Sequence, residues 1–160
     1  MPTEDRALRD HLLELLRGGS AHADLATVVD DFPHQLAGTQ ARNVPYSPWQ
    51  LLEHIRFTVS DLLLFSTDPK YVAPSWPDDY WPAKEEAPQP GEWDVSVQAL
   101  KADLASFETI VADPKSNLYA KIPWGEGQTL LREVLLASDH TSYHLGELVL
   151  MRRELGAWNK

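Results

Sequence analysis

Six histidines are the residues in this chain of 160 best suited to chemistry: His11, His22, His34, His54, His140 and His144. There is no cysteine, which removes disulfides, Cys–zinc sites and a thiol nucleophile of the chain's own. His140 and His144 are four apart, so on a helix their side chains lie over one another. At about 100° per residue, Glu133, Leu136, Ala137, Leu148 and Met151 fall within about 80° of the His140 direction. The pair therefore belongs to a largely apolar stripe. Histidines facing inward must hydrogen-bond, titrate toward neutrality or bind something.

His54 is the natural third member, lying near the apolar face formed by Leu51, Ile55 and Leu62. One imidazole from a second helix and a His-x₃-His pair from the last make a three-histidine site inside a bundle. Neutral imidazole suits Zn, Ni, Fe or Cu, with Zn–N about 2.0–2.1 Å. Three protein ligands leave positions open for water or substrate, the catalytic pattern rather than the closed structural one. On pattern alone the same residues also read as satisfied core histidines, and both readings stay open. His11, His22 and His34 take the core-or-surface reading. His11 neighbours Asp10 on a polar-edged helix, His22 falls near a helix start and His34 in a loop.

Two familiar sites are excluded. A zincin helix needs Glu directly after its first His, and Thr141 stands there. Di-iron bundles need Glu-x-x-His pairs on two helices, a spacing this chain lacks. Glu147 lies three residues beyond His144 on the same face. It reads as a fourth ligand, a supporting partner, a base, or an ordinary solvated or salt-bridged acid.

The elements that must position these residues are helical. Leu8, Leu12, Leu15 and Leu16 mark a helix over about Thr3–Arg17, stopped by Gly18-Gly19. Ser20 reads as the N-cap of a short helical piece through Val29 that ends near Pro33, and Pro33–Tyr46 reads as loop. Ser47-Pro48-Trp49-Gln50 is the strongest helix start: an N-cap Ser, Pro at the first helical position, and Gln to complete a capping box. That helix runs to about Ser66. Half of the twelve prolines then fall between Pro69 and Pro90, with Trp76, Tyr80 and Trp81 among them. The aromatics predict a loop packed onto the body, and a loop that long is a functional one or a crossover. A third long helix is expected over Glu92–Ala112, ended by Asp113-Pro114. The last follows over Thr129–Leu155, closed by Gly156. Strand signals are few, so the expected fold is an all-α four-helix bundle in one domain, residues 1–160. Its long loops lie between helices 2–3 and 3–4, with Trp76, Trp81 and Trp124 packed on the body.

Charge narrows the partners. Fourteen Lys+Arg against 24 Asp+Glu give a formal charge of −10, which opposes nucleic acid or an anionic membrane as main partner. No uninterrupted apolar run exceeds four residues, where a bilayer needs roughly 20. The charged start Thr3-Glu4-Asp5-Arg6 is unlike a signal peptide. A cytoplasmic protein with a small-molecule substrate is the expectation.

Three segments resemble the DinB-like (DinB/YfiT) superfamily. They are Ser47-Pro48-Trp49-Gln50-Leu51-Leu52-Glu53-His54, Gly127-Gln128-Thr129-Leu130-Leu131, and Asp139-His140-Thr141-Ser142-Tyr143-His144-Leu145-Gly146-Glu147. The loop from Tyr71 to Trp81 and the closing Met151–Trp158 stretch resemble one branch of it. The resemblance implies an up-down-down-up bundle with a divalent metal on His54, His140 and His144. Zn or Ni come first as candidates, then Fe. It further implies a metal-dependent transferase, isomerase or hydrolase using a low-molecular-weight thiol such as mycothiol, bacillithiol or glutathione, and a homodimer. Many relatives carry Gln where this chain has Glu147. The alternative is a non-catalytic metal-binding stress or association protein. Ligation needs neutral imidazole, so acidification through about pH 6 is expected to release the ion.

Overall fold

The computed structural model describes residues 3–83 and 87–158. Five α-helices follow in order: α1 (Thr3–Arg17), α2 (Leu25–Val29), α3 (Pro48–Thr67), α4 (Glu92–Ala112) and α5 (Leu130–Glu154). Short 3₁₀ turns lie at His34–Leu36 and Asp78–Tyr80. Among the described residues there is no strand, only an isolated bridge between Lys121 and Thr129. No described helix is long and apolar enough to cross a membrane. The four long helices are those the periodicity predicts. The second piece differs: Ser20 is not its cap. Asp24 accepts from the Thr27 amide at 2.7 Å and starts the helix one turn later, after the left-handed Gly18 and Gly19 have turned the chain.

The core is one cluster of apolar residues from all five helices. Leu12 and Leu16 of α1 meet Val28 and Val29 of α2, Ile55 and Val59 of α3, Leu100 and Phe107 of α4, and Val134 and Leu148 of α5. Each buried side chain of this size contributes roughly 1.5–3 kcal/mol relative to exposure. Two buried arginines tie helix ends and loops together. Arg9 donates to the Val111, Asp113 and Ser116 carbonyls at 2.7, 3.0 and 2.6 Å, placing a cation at the C-terminal end of α4. Arg152 donates to Val28 O and, twice, to Ala157 O.

The start of α3 is built most firmly. Ser47 Oγ accepts from the Gln50 amide and the Ser47 amide donates to Gln50 Oε1 at 3.0 Å, a complete capping box. Gln50 Nε2 also donates to the carbonyls of Pro82 and Ala83, so the cap residue holds the long loop against α3. Every residue from Pro48 to Ile55 is buried, because α4 and α5 cover part of the helix and this loop covers more. Ser47→Ala is expected to cost about 1 kcal/mol of stability, read by urea unfolding.

The loop packs as expected, with one exception. Tyr80 is buried and Trp81 lies on the body, but Trp76 is 65% exposed. Tyr80 and Trp81 occupy the positions against α3, leaving Trp76 at the rim with its ring edge-on to Tyr80 at 5.0 Å. Trp124 is partly exposed and fastened by Nε1 donating to Phe65 O at 2.7 Å.

Candidate metal centre

His54 is on the first half of α3, and His140 and His144 are in the middle of α5. Packing of α3 against α5 brings the three rings together, with centroids 4.4–4.9 Å apart. One ring nitrogen from each lies within 4.8 Å of the other two. His54 Nε2 and His140 Nε2 are 3.1 Å apart, close to the about 3.3 Å that separates two nitrogens held 2.0–2.1 Å from one tetrahedral ion. The three could hold a metal ion. His54 and His144 are buried and His140 is partly so.

The surroundings decide which nitrogen faces inward. His54 Nδ1 is 3.0 Å from the Tyr80 carbonyl oxygen. A carbonyl only accepts, so Nδ1 carries the proton and Nε2 of the neutral ring keeps its lone pair. His144 Nδ1 donates to Glu147 Oε2 at 2.6 Å, which likewise leaves Nε2 as the donor atom toward the centre. His140 Nδ1 is buried without a hydrogen-bond partner among the described residues. Its ring is placed by packing and by the 3.1 Å contact of its Nε2 with His54 Nε2.

Aromatic groups enclose this cluster. Trp81 stacks on His54 at 3.8 Å with planes 7° apart. Tyr46 tilts against Trp81 at 5.0 Å and donates from its hydroxyl to Glu147 Oε1 at 2.8 Å. Tyr143 meets His144 edge-on at 4.8 Å. Tyr71 donates to Asp61 Oδ1 at 2.9 Å, pinning the start of the loop whose Tyr80 carbonyl serves His54.

Burial dominates the protonation of two of the rings, His54 and His140. It lowers the pKa of His54, helped by the charge of His144 and opposed by the Tyr80 carbonyl and Glu147. It pushes His140 down to about 3, with the neighbouring histidines adding to the effect. These two rings are therefore neutral at neutral pH and ready to ligate. Protons compete for His54 below its ordinary value and for His140 only at about 3, so if these rings hold an ion its release is expected below the pH 6 that free imidazoles would set.

A linkage prediction follows for the metal-free chain. A folded pKa below the unfolded value of about 6.5 means the unfolded chain binds protons that the folded one refuses. The stability contribution is complete above about pH 6.5 and declines as pH falls toward about 3, where His140 protonates. Unfolding midpoints of chelator-treated protein across this range should fall, and His140→Gln should flatten part of the slope. An unchanged slope in that variant would remove His140 as the cause.

The other histidines stay apart. His11 faces Glu14 in the open, His22 is exposed with Nδ1 against the Ala23 carbonyl, and His34 sits 3.4 Å from Asp94. Three partners escaped the sequence. The Tyr80 carbonyl is a backbone atom and carries no residue signal, while Tyr46 and Trp81 lie in aperiodic segments. Only Glu147 could be found, through its i,i+3 spacing to His144.

Fold and site together define an all-helical protein with a buried histidine triad that could hold a metal ion. No protein-family model matches the chain, and no curated protein or solved structure is significantly similar to it.

Proposed function

We propose that the chain is a DinB-like metal-binding bundle whose His54, His140 and His144 hold one divalent cation, Zn or Ni first and Fe after them. The observation that carries this reading is the pairing of two Nδ1 atoms with the Tyr80 carbonyl and Glu147, which leaves Nε2 lone pairs of two helices facing one point. An up-down-down-up order is supported by contacts along the helices. The starts of α3 and α4 share the segment after α2, through Trp49 N to Ala37 O and His34 to Asp94. Tyr46, just before α3, reaches Glu147 late in α5, whereas Phe65 near the end of α3 meets Trp124 before α5.

A divalent ion bound there supplies Lewis acidity that lowers the pKa of a coordinated thiol or water. The best-supported activity is transfer or addition of a low-molecular-weight thiol to an electrophilic small molecule. In it, His54, His140 and His144 hold the ion, Glu147 and the Tyr80 carbonyl orient two of the rings, and Trp81 with Tyr46 limits water at the site. Homodimer formation is part of this reading, supported by the exposed Trp76, Tyr143 and Leu150. The test pairs elemental analysis of untagged protein with thiol-dependent turnover on a panel of electrophiles. One metal per chain with thiol-dependent turnover supports the reading, and metal-free protein at neutral pH ends it. A non-catalytic metal-binding role is favoured by one observation, the Trp81 indole laid flat on His54. Stoichiometric metal without turnover on any electrophile would select it.

A further inference from the structure

Glu147 has both carboxylate oxygens engaged: Oε2 accepts from His144 Nδ1 at 2.6 Å and Oε1 from the Tyr46 hydroxyl at 2.8 Å. The helix itself brings the carboxylate over the ring, since residues three apart on α5 are neighbours. Tyr46 is placed from the other side. It directly precedes Ser47, whose capping box fixes the chain's entry into α3, and its ring is braced against Trp81. The chain of contacts His144–Glu147–Tyr46–Trp81–His54 therefore links two of the triad's rings through side chains that belong to three separate segments. Burial and the neighbouring carboxylate both raise the Tyr46 pKa, so the phenol remains a donor.

An oxygen already receiving a hydrogen bond of 2.6 Å from a ring proton is oriented toward that proton. Glu147 Oε2 lies against Nδ1 of His144 and not among the three ring nitrogens that gather within 4.8 Å of one another, so the carboxylate supports the ring from outside the cluster. We propose that Glu147, clamped by the Tyr46 hydroxyl, is a positioning residue that fixes His144 as an Nε2 ligand. The inference rests on the triad being a metal site. A carboxylate on the far nitrogen of a ligating histidine holds the tautomer, stops ring rotation and raises the ring's basicity, effects that typically amount to 10–100-fold in metal affinity. Tight binding here thus depends on an anion that never touches the cation.

The experiment uses the untagged full chain with Zn²⁺ as the probe. Zn²⁺ affinity is read by competition with a chromophoric chelator, and ring tautomers by long-range ¹H–¹⁵N NMR of the metal-free protein. Glu147→Ala is expected to weaken Zn²⁺ about 10–100-fold and to remove the Nδ1–H signature of His144 while His54 keeps its own. Tyr46→Phe should shift affinity the same way by less. Glu147→Gln keeps an acceptor and should retain the tautomer with an intermediate loss. It also serves as the comparison of equal size should the alanine variant not fold. Unchanged affinity and an unchanged His144 tautomer in Glu147→Ala would overturn the proposal and leave the metal site standing. A loss equal to that of His144→Ala, with one ligand fewer by X-ray absorption, would make Glu147 a ligand and also overturn it. Unchanged Zn²⁺ affinity in His144→Ala would overturn the metal reading, and the proposal with it.

Discussion

Alanine at His54, His140 or His144 is expected to lower divalent-metal affinity by more than about 100-fold, beyond the range expected for a residue that only supports a ligand. His140 and His144 come from one helix and His54 from another, so each loss leaves two imidazoles that chelate a cation poorly. The loss of His54 also frees the Tyr80 carbonyl and exposes a face of Trp81. The same substitution at His11, His22 or His34 leaves affinity unchanged, because those rings lie on the surface with partners of their own. Competition titrations of the six variants decide it. Equal losses across all six, or none at the triad, would sink the site.

Arg152→Ala is strongly destabilising, with an expected loss of roughly 3–5 kcal/mol. Arg152 is 3% exposed, and its guanidinium donates to Val28 O at 2.5 Å, Asp31 Oδ1 at 2.9 Å and Ala157 O at 2.8 Å. It also lies over the rings of Phe32 and Trp158 at 5.4 and 5.3 Å. Removal leaves two carbonyls without their donor and a gap between α2, α5 and the C-terminal turn. Arg153→Ala, one position on, is exposed and makes one ring contact at 5.8 Å. It should cost under about 1 kcal/mol. Urea unfolding of both variants, each saturated with Zn²⁺, measures the difference.

The helices were legible because their signals are local. The Ser47–Gln50 capping box and the 3.6-residue periodicity of α4 and α5 act within a turn or two of the residues that carry them. The triad was legible for a related reason: His-x₃-His fixes two rings on one face before any packing is known. What stayed hidden was decided by contacts remote in sequence. His54 lies in a stretch buried on every side, so periodicity could not say which neighbour it faced. Nor does sequence pattern say which loop carbonyl would meet its ring, or which of Trp76 and Trp81 would lie on it. The misplaced cap of α2 has a simpler origin. Ser20 and Asp24 are both good caps, and the glycine turn before them selected the second.

The flat stack of Trp81 on His54 has an optical consequence. An indole in van der Waals contact with a proposed ligand is a built-in fluorophore for occupancy of the candidate site. Open-shell Ni²⁺ or Co²⁺ arriving at His54 should quench its emission, while closed-shell Zn²⁺ should shift the band with far less loss of intensity. Trp49, Trp93 and Trp158 lie in the body and Trp124 against the far end of α3, so they supply a steady background, whereas Trp76 has its ring 6.2 Å from His54 and shares the response. The fraction of light lost on adding metal then reads Trp81 and Trp76 together, and Trp81→Phe compared with Trp76→Phe separates the two, the larger loss of signal being expected for Trp81→Phe.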